Sequence, residues 1–472
     1  MKKIIKKISI VLITCLLFVV TLVPNKVITV DAKYEMSTLT YDFEYCQSDA
    51  RAMLKMINDF RTGSDAWQYD QSGNKEYIKG LSALKYDYEL EKVAMQRAAE
   101  LVLSVLDSSK PYGPVLRPNG TYLTHLMKEY GTFGYASENI YKDISGSMTT
   151  TQVFEYWKES NANNYDGQGF RRNMLSQNYK TVGIACVEYA GRLHWVQVFS
   201  DAEWNTTKAT SALDAAKASK VDVYDDEIMA FIKRLYKLCL NRNYDSRGLT
   251  YWWTNLYTKQ VSAAEATKGF FLSKEMTNMK LSDSEFVERC YKVMMDRNSE
   301  ANGKKYWLER LSNGVGREYV LKGFIDSKEF TAICNKYNLE KGGISVAEAR
   351  SKNYGITSFV VRCYAKALVR KYDVYGLNYW CNQLLNSNNI KQAAINVASN
   401  GFFHSQEFRN RNLNNTEYIK VLYQTFLGRE YDKNGLNYWL KELNSGKSVD
   451  YVLSGFANSK EFSNIMASYG IK

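Results

Sequence analysis

Trp157-Lys158-Glu159-Ser160, then Tyr165-Asp166-Gly167-Gln168-Gly169-Phe170-Arg171-Arg172-Asn173-Met174-Leu175, is the stretch on which the reading of this 472-residue chain turns. Gly167-Gln168-Gly169 reads as a turn, not as a nucleotide loop. Working outward, Asn58-Asp59-Phe60-Arg61 opens a first helix. Gly80 to Asp87 leads into a second helix over Leu90–Glu100. Val182–Cys186 and His194–Phe199 read as strands around a Tyr189-Ala190-Gly191 turn. Pro114-Val115-Leu116-Arg117-Pro118-Asn119-Gly120 and Ser137-Glu138-Asn139-Ile140 lie between them.

In order and spacing these segments, from about Met53 to Asp201, resemble the CAP superfamily (the SCP, or pathogenesis-related-1, family). The resemblance implies an α-β-α sandwich whose cleft is lined by two histidines and two glutamates. At the matching positions this chain has Val115 and Phe170 in place of the imidazoles, and Glu138 and Glu159 as the carboxylates. Val115, Glu138, Glu159, Phe170, Asn173 and Gln197 are therefore the expected ligand-binding cleft.

Hydrocarbon cannot ligate a cation, so no metal, no cofactor and no catalytic residue is assigned. Two carboxylates alone favour weak binding of hard ions at best. If Glu138 and Glu159 face each other beside apolar side chains, one of them is pushed towards staying protonated. That is the arrangement of a cell-wall-active or glycan-active hydrolase, the alternative reading. His125, ten residues beyond Val115, reads as a surface or packing histidine, and His194 and His404 as structural. No Gly-x-Ser-x-Gly elbow and no His-Glu-x-x-His occurs.

Lys2, Lys3, Lys6 and Lys7 precede an apolar run from Ile8 to Val23, and Val30-Asp31-Ala32 suits cleavage. Residues 1–32 thus read as an export signal, leaving no membrane span after cleavage. The formal charge is +12. Residues 1–32 hold five lysines and one aspartate, so the mature chain keeps +8. That excess suits solubility or anionic wall polymers, and no dense basic block points to nucleic acid. Of eight cysteines, Cys15 lies in the signal, and an odd seven remain at spacings that fit neither a metal site nor a disulfide framework. Cys239, Cys290 and Cys363 fall on apolar helix faces.

The second half repeats itself. Phe231, Phe286, Phe359 and Tyr418 each begin one pattern. Tyr follows at +5, Arg at +11, an acid at +14, Gly at +17 and Tyr-Trp at +20. Gly-Phe comes later, with Ser-x-Glu four residues beyond that glycine. Asp245, Asp373 and Asp432 read as helix N-caps, Glu300 as a weaker one. Gly248 sits where close packing excludes a side chain, and Tyr251-Trp252 is expected to place both rings in the module core. The pattern resembles the DUF4214 family, helical modules of unestablished activity, and more distantly phycobilisome linker modules.

The expected organisation is a signal at 1–32, an α+β CAP-like sandwich at 45–202 and a linker at 203–225. All-helical repeats follow at 226–340 and 350–472. The function expected is non-catalytic binding, secreted or at the cell surface. The cleft would take a small apolar or glycan ligand, and the repeats would dock on wall polymer or a surface protein.

Overall fold

The computed structural model describes residues 35–106, 116–142, 148–159 and 164–468. The expected signal at residues 1–32 and Val115 lie outside them. The chain forms two compact units that divide between Asp226 and Glu227.

The first unit is built on strands β1 (Met36–Tyr45), β2 (Trp67–Tyr69), β3 (Lys75–Tyr77), β4 (Lys85–Tyr86), β5 (Ala136–Tyr141), β6 (Thr181–Tyr189), β7 (Arg192–Ser200) and β8 (Ala216–Tyr224). Its helices are α1 (Gln47–Thr62), α2 (Tyr88–Leu106), α3 (Leu123–Glu129), α4 (Thr150–Glu159) and α5 (Gly169–Leu175). The main sheet runs β5-β7-β6-β1-β8, with β4 on β6, while β2 and β3 form a separate hairpin. The expected turn is a two-residue hairpin between Tyr189 and Arg192. Ala190 and Gly191 both have positive φ, 52° and 76°, as the twist of such a hairpin demands.

Strand alternation sorts the core into two layers. Val182, Ile184 and Cys186 of β6 join Trp195 and Phe199 of β7 under α1, α4 and α5. The alternate β6 residues face α2. There Gly183 is indispensable, because a Cβ would run into the backbone of Leu90 and Glu91. The result is the expected α-β-α sandwich.

Two expectations need correcting. Asn58–Arg61 closes α1 rather than opening it: the amphipathic pattern starts earlier, with Ala50, Met53 and Ile57 buried. The expected linker at 203–225 instead belongs to the sandwich. Asp87 Oδ2 accepts from the N–H groups of Trp204 and Asn205 at 2.7 and 3.1 Å. Residues 216–224 then pair with β1 along its whole length, Thr38↔Asp222 and Tyr41↔Ser219 among the rungs. Ser219, Val221 and Val223 are buried on one face of this edge strand, while Lys220 and Asp222 on the other face are exposed.

The second unit is helical, four copies of a four-helix module. The first comprises α6 (Glu227–Leu240), α7 (Ser246–Tyr257), α8 (Ala263–Phe271) and α9 (Lys274–Asn278). The others begin at Asp283, Tyr354 and Asn415. In the third and fourth, one turn at Cys363–Ala367, Val397–Phe403 and Tyr423–Leu427 widens to π-helix. Asp245, Asp373 and Asp432 cap their helices by accepting from the N–H of Gly248, Gly376 and Gly435 at 2.6–2.8 Å. Glu300 makes no such bond. Ser273, Ser327, Ser405 and Ser459 cap the last helices likewise.

A Cβ on Gly248, Gly303, Gly376 or Gly435 would collide with the hydroxyl of Tyr236, Tyr291, Tyr364 or Tyr423. Those tyrosines stand edge-on to Phe270, Phe324, Phe402 and Phe456, with centroids 4.8–4.9 Å apart. The arginine of each copy reaches the glutamate of its Ser-x-Glu block: Arg242–Glu275, Arg297–Glu329, Arg370–Glu407 and Arg429–Glu461 lie 2.6–2.8 Å apart. Cys239, Cys290 and Cys363 are fully buried, and burial pushes the thiols of Cys239 and Cys363 up to about 12. Among the described residues no helix is long and apolar enough to cross a membrane.

Candidate functional site

The cleft residues divide between the two faces of the sheet. β5 is an edge strand paired with β7 through Glu138↔Val198 and Asn139↔Gln197. Alternation sends Glu138 to the α2 face and Asn139 to the α5 face.

On the α2 face Glu138 is 7 % exposed. Arg97 holds both its oxygens, Nε to Oε2 at 2.8 Å and Nη2 to Oε1 at 3.0 Å. Arg97 also reaches Glu100 at 3.4 Å. Arg117 bonds Glu100 at 2.9 Å and Glu129 at 2.7 Å. Arg97, Arg117, Glu100 and Glu138 are all buried, so two guanidinium groups balance two carboxylates, with Glu129 at the rim. Buried charges persist only when paired and hydrogen-bonded. Burial pushes the Glu138 carboxyl above its ordinary value and Arg97 pulls it back. Burial also opposes the charge of Arg97, but Glu138 and Glu100 outweigh it and hold the guanidinium above its ordinary value.

Glu159 does not join Glu138. It ends α4, on the opposite layer, with its side chain 68 % exposed beside Lys158. Among the described residues the charges acting on Glu138 are Arg97 and Glu100. The facing carboxylate pair is therefore absent from this geometry, because neighbouring strand positions point to opposite faces.

On the α5 face, Asn139 Nδ2 donates to Gln197 Oε1 at 2.9 Å and to the Phe170 carbonyl at 3.0 Å. Asn173 Nδ2 donates to Asn139 Oδ1 at 2.9 Å. Gln197 Nε2 points to the Met53 sulfur at 3.0 Å. These amides tie α5 to the sheet. Phe170 is half-buried against the core and continues an aromatic row. Tyr141 lies 5.3 Å from Tyr156, and Tyr156 6.3 Å from Phe170. Tyr156 is 38 % exposed, so the row offers an apolar wall.

Arg171 is buried and binds the carbonyls of Trp67, Lys158 and Asp65 at 2.6–2.9 Å. Sequence reasoning missed Arg97, Arg117 and Arg171. Arg97 had a signal: it falls on the Leu90-Val93-Ala94-Arg97-Ala98-Leu101 stripe, the buried face of α2. His125 is exposed on α3, 6.2 Å from the Tyr122 ring. His194 is buried on β7. His404 bonds Asp450 at 2.5 Å. Among the described residues no three His, Cys, Asp or Glu side chains gather as a cation site.

The repeats present a second candidate surface. The expectation of a buried Tyr-Trp pair holds for the tryptophan only, which lies half-buried in every copy. Trp252, Trp307, Trp380 and Trp439 sit 5.2–5.8 Å from Phe270, Phe324, Phe402 and Phe456. A Cβ on Gly269, Gly323, Gly401 or Gly455 would strike those indoles. Tyr251, Tyr306, Tyr379 and Tyr438 remain 42–58 % exposed. Adjacent helix positions are about 100° apart, so one ring faces the core and the other water. Each tyrosine stands edge-on to its tryptophan at 4.8–5.1 Å.

Residues 54–199 match the family model of the cysteine-rich secretory protein family, CAP. Residues 214–280, 272–334 and 398–466 match DUF4214, a domain of unknown function. No curated protein matches the chain. Most of the copy beginning near Phe359, up to residue 397, lies outside those three matches, yet it carries the same Asp373 cap, Tyr364–Gly376 contact and Arg370–Glu407 pair. The chain thus joins a CAP domain to a run of DUF4214 repeats.

Proposed function

We propose that this protein is an exported, non-catalytic binding protein. Its CAP domain takes a small apolar or glycan ligand against the Tyr141–Tyr156–Phe170 wall, and its repeats dock on cell-wall polymer. The carrying observation is the recurrence of one exposed tyrosine in all four modules, at 42–58 % exposure. Core packing accounts for the tryptophan beside it, but not for a large ring left in water at the same place four times. Rings of this kind stack on the apolar faces of sugars, and four weak sites on one chain add by avidity.

The hydrolase alternative needs a carboxylate free to exchange protons. Arg97 on both oxygens of Glu138 argues against it, as does the exposed position of Glu159.

The test is sedimentation of the full chain with purified peptidoglycan. Wild type is expected to pellet. The variant Tyr251→Ala/Tyr306→Ala/Tyr379→Ala/Tyr438→Ala, with unchanged circular dichroism, should lose at least about ten-fold in apparent affinity. Equal pelleting of the two proteins would refute the tyrosine reading. No pelleting of wild type, with capture of a protein partner, would replace wall docking by partner docking.

A further inference from the structure

Cys46 and Cys186 are 140 residues apart in sequence and adjacent in the fold. β1 and β6 run antiparallel through Glu44↔Glu188 and Tyr45↔Val187, so the next rung sets Cys46 opposite Cys186. The Cys46 N–H donates to the Cys186 carbonyl at 3.0 Å, and each thiol is the largest influence on the other's proton. Directly opposed residues of an antiparallel pair have Cα atoms about 4.5–5.5 Å apart. A disulfide needs roughly 4.4–6.8 Å. The rung is held in place by Gln47. Its Oε1 accepts from the Cys186 N–H at 3.2 Å, and its Nε2 donates to the Ile184 carbonyl at 3.0 Å and to Glu91 at 2.9 Å.

The two thiols differ in reach. Cys46 is half-buried at the N-cap of α1, while Cys186 is fully buried. The neighbouring Cys186 thiol holds the Cys46 thiol below its ordinary value, while Cys46 together with burial pushes Cys186 far up. A thiolate at a helix N-terminus is the stabilised nucleophile of such a pair. The remaining cysteines of the described residues, all in the repeats, are buried.

We infer that Cys46 and Cys186 form a reversible dithiol–disulfide site, oxidised by a low-molecular-weight disulfide. The Cys46 thiolate attacks one sulfur of the oxidant, forming a mixed disulfide and expelling one thiolate. Cys186 then attacks the Cys46 sulfur, its proton passing to the departing second thiolate, which leaves as a thiol. One S–S bond breaks and one forms, and two electrons pass from the cysteine pair to the oxidant, which leaves as two thiols. Cys46 is the reachable sulfur and Cys186 the resolving one.

The experiment equilibrates the folded full chain with excess oxidised glutathione and quenches it in acid. Unfolding, alkylation and digestion without reduction precede mass spectrometry. The expected product is a peptide pair joined through Cys46 and Cys186, with the repeat cysteines alkylated and the link lost on treatment with dithiothreitol. Cys186→Ser should stop at a glutathione adduct on Cys46. Wild type in which both cysteines are alkylated overturns the proposal, as does wild type that accumulates only the Cys46 adduct. The wild-type map decides the matter even if the variant fails to fold.

Discussion

Arg97 of α2 grips Glu138 of the edge strand β5 with two parallel hydrogen bonds, at 2.8 and 3.0 Å, and both side chains are almost wholly buried. A carboxylate so held is part of the scaffold. Its oxygens are already occupied, and freeing either would strand a buried guanidinium charge.

Removing one partner leaves an uncompensated buried charge. Arg97→Met should therefore cost about 3–5 kcal/mol of unfolding free energy, read by urea denaturation. The double variant Arg97→Met/Glu138→Leu should recover most of that loss, because Glu100 keeps Arg117. A single variant as stable as wild type would show that the pair does not hold the strand.

Gly248, Gly303, Gly376 and Gly435 each face a tyrosine hydroxyl. Gly435→Ala should destabilise the repeat unit by about 1–3 kcal/mol through overpacking against the Tyr423 hydroxyl. Tyr423→Phe in the same chain should relieve much of it, since the colliding atom is gone. Thermal melts of the single and double variants measure the coupling, and strict additivity would contradict the contact.

Glu300 is the one copy of the capping acid without a cap bond. Glu300→Asp shortens the side chain to the length that works at Asp245, Asp373 and Asp432. It should gain about 0.5–1 kcal/mol, and a drop in melting temperature would contradict the capping argument.

Hydrogen bonds from Arg242 and Arg429 hold the carboxyls of Glu275 and Glu461 below the ordinary value of about 4.5. A carboxyl depressed in the folded state contributes stability above its unfolded value, and that contribution is lost as pH falls through the folded one. The repeats should thus weaken on acidification below about pH 4.5. Arg242→Met/Arg429→Met should flatten that dependence by less than about 1 kcal/mol per pair, since these groups are largely solvated. Urea midpoints across pH 3–7 give the slope, and identical slopes would exclude the staples.

The caps, the excluded glycines and the helical stripes were legible because each is decided within one or two turns of chain. Asp245 and Gly248 are three residues apart, and so are Ser273 and Met276. The Arg97–Glu138 and Cys46–Cys186 relationships were not legible, since the fold alone brings these residues together. β8 was hidden for a different reason: an edge strand needs one apolar face only. Ser219, Val221 and Val223 supply it amid Ala, Lys and Asp that read as linker. The Tyr-Trp pair misled because two adjacent aromatic residues suggest a core, although a helix turns the second ring away from the first.

Calorimetric titration of the purified full chain with zinc tests the occupied carboxylate most directly. With Arg97 on both oxygens of Glu138 and hydrocarbon at Phe170, no saturable binding at micromolar zinc should arise from the CAP domain. Stoichiometric, tight binding that Glu138→Gln abolishes would contradict it.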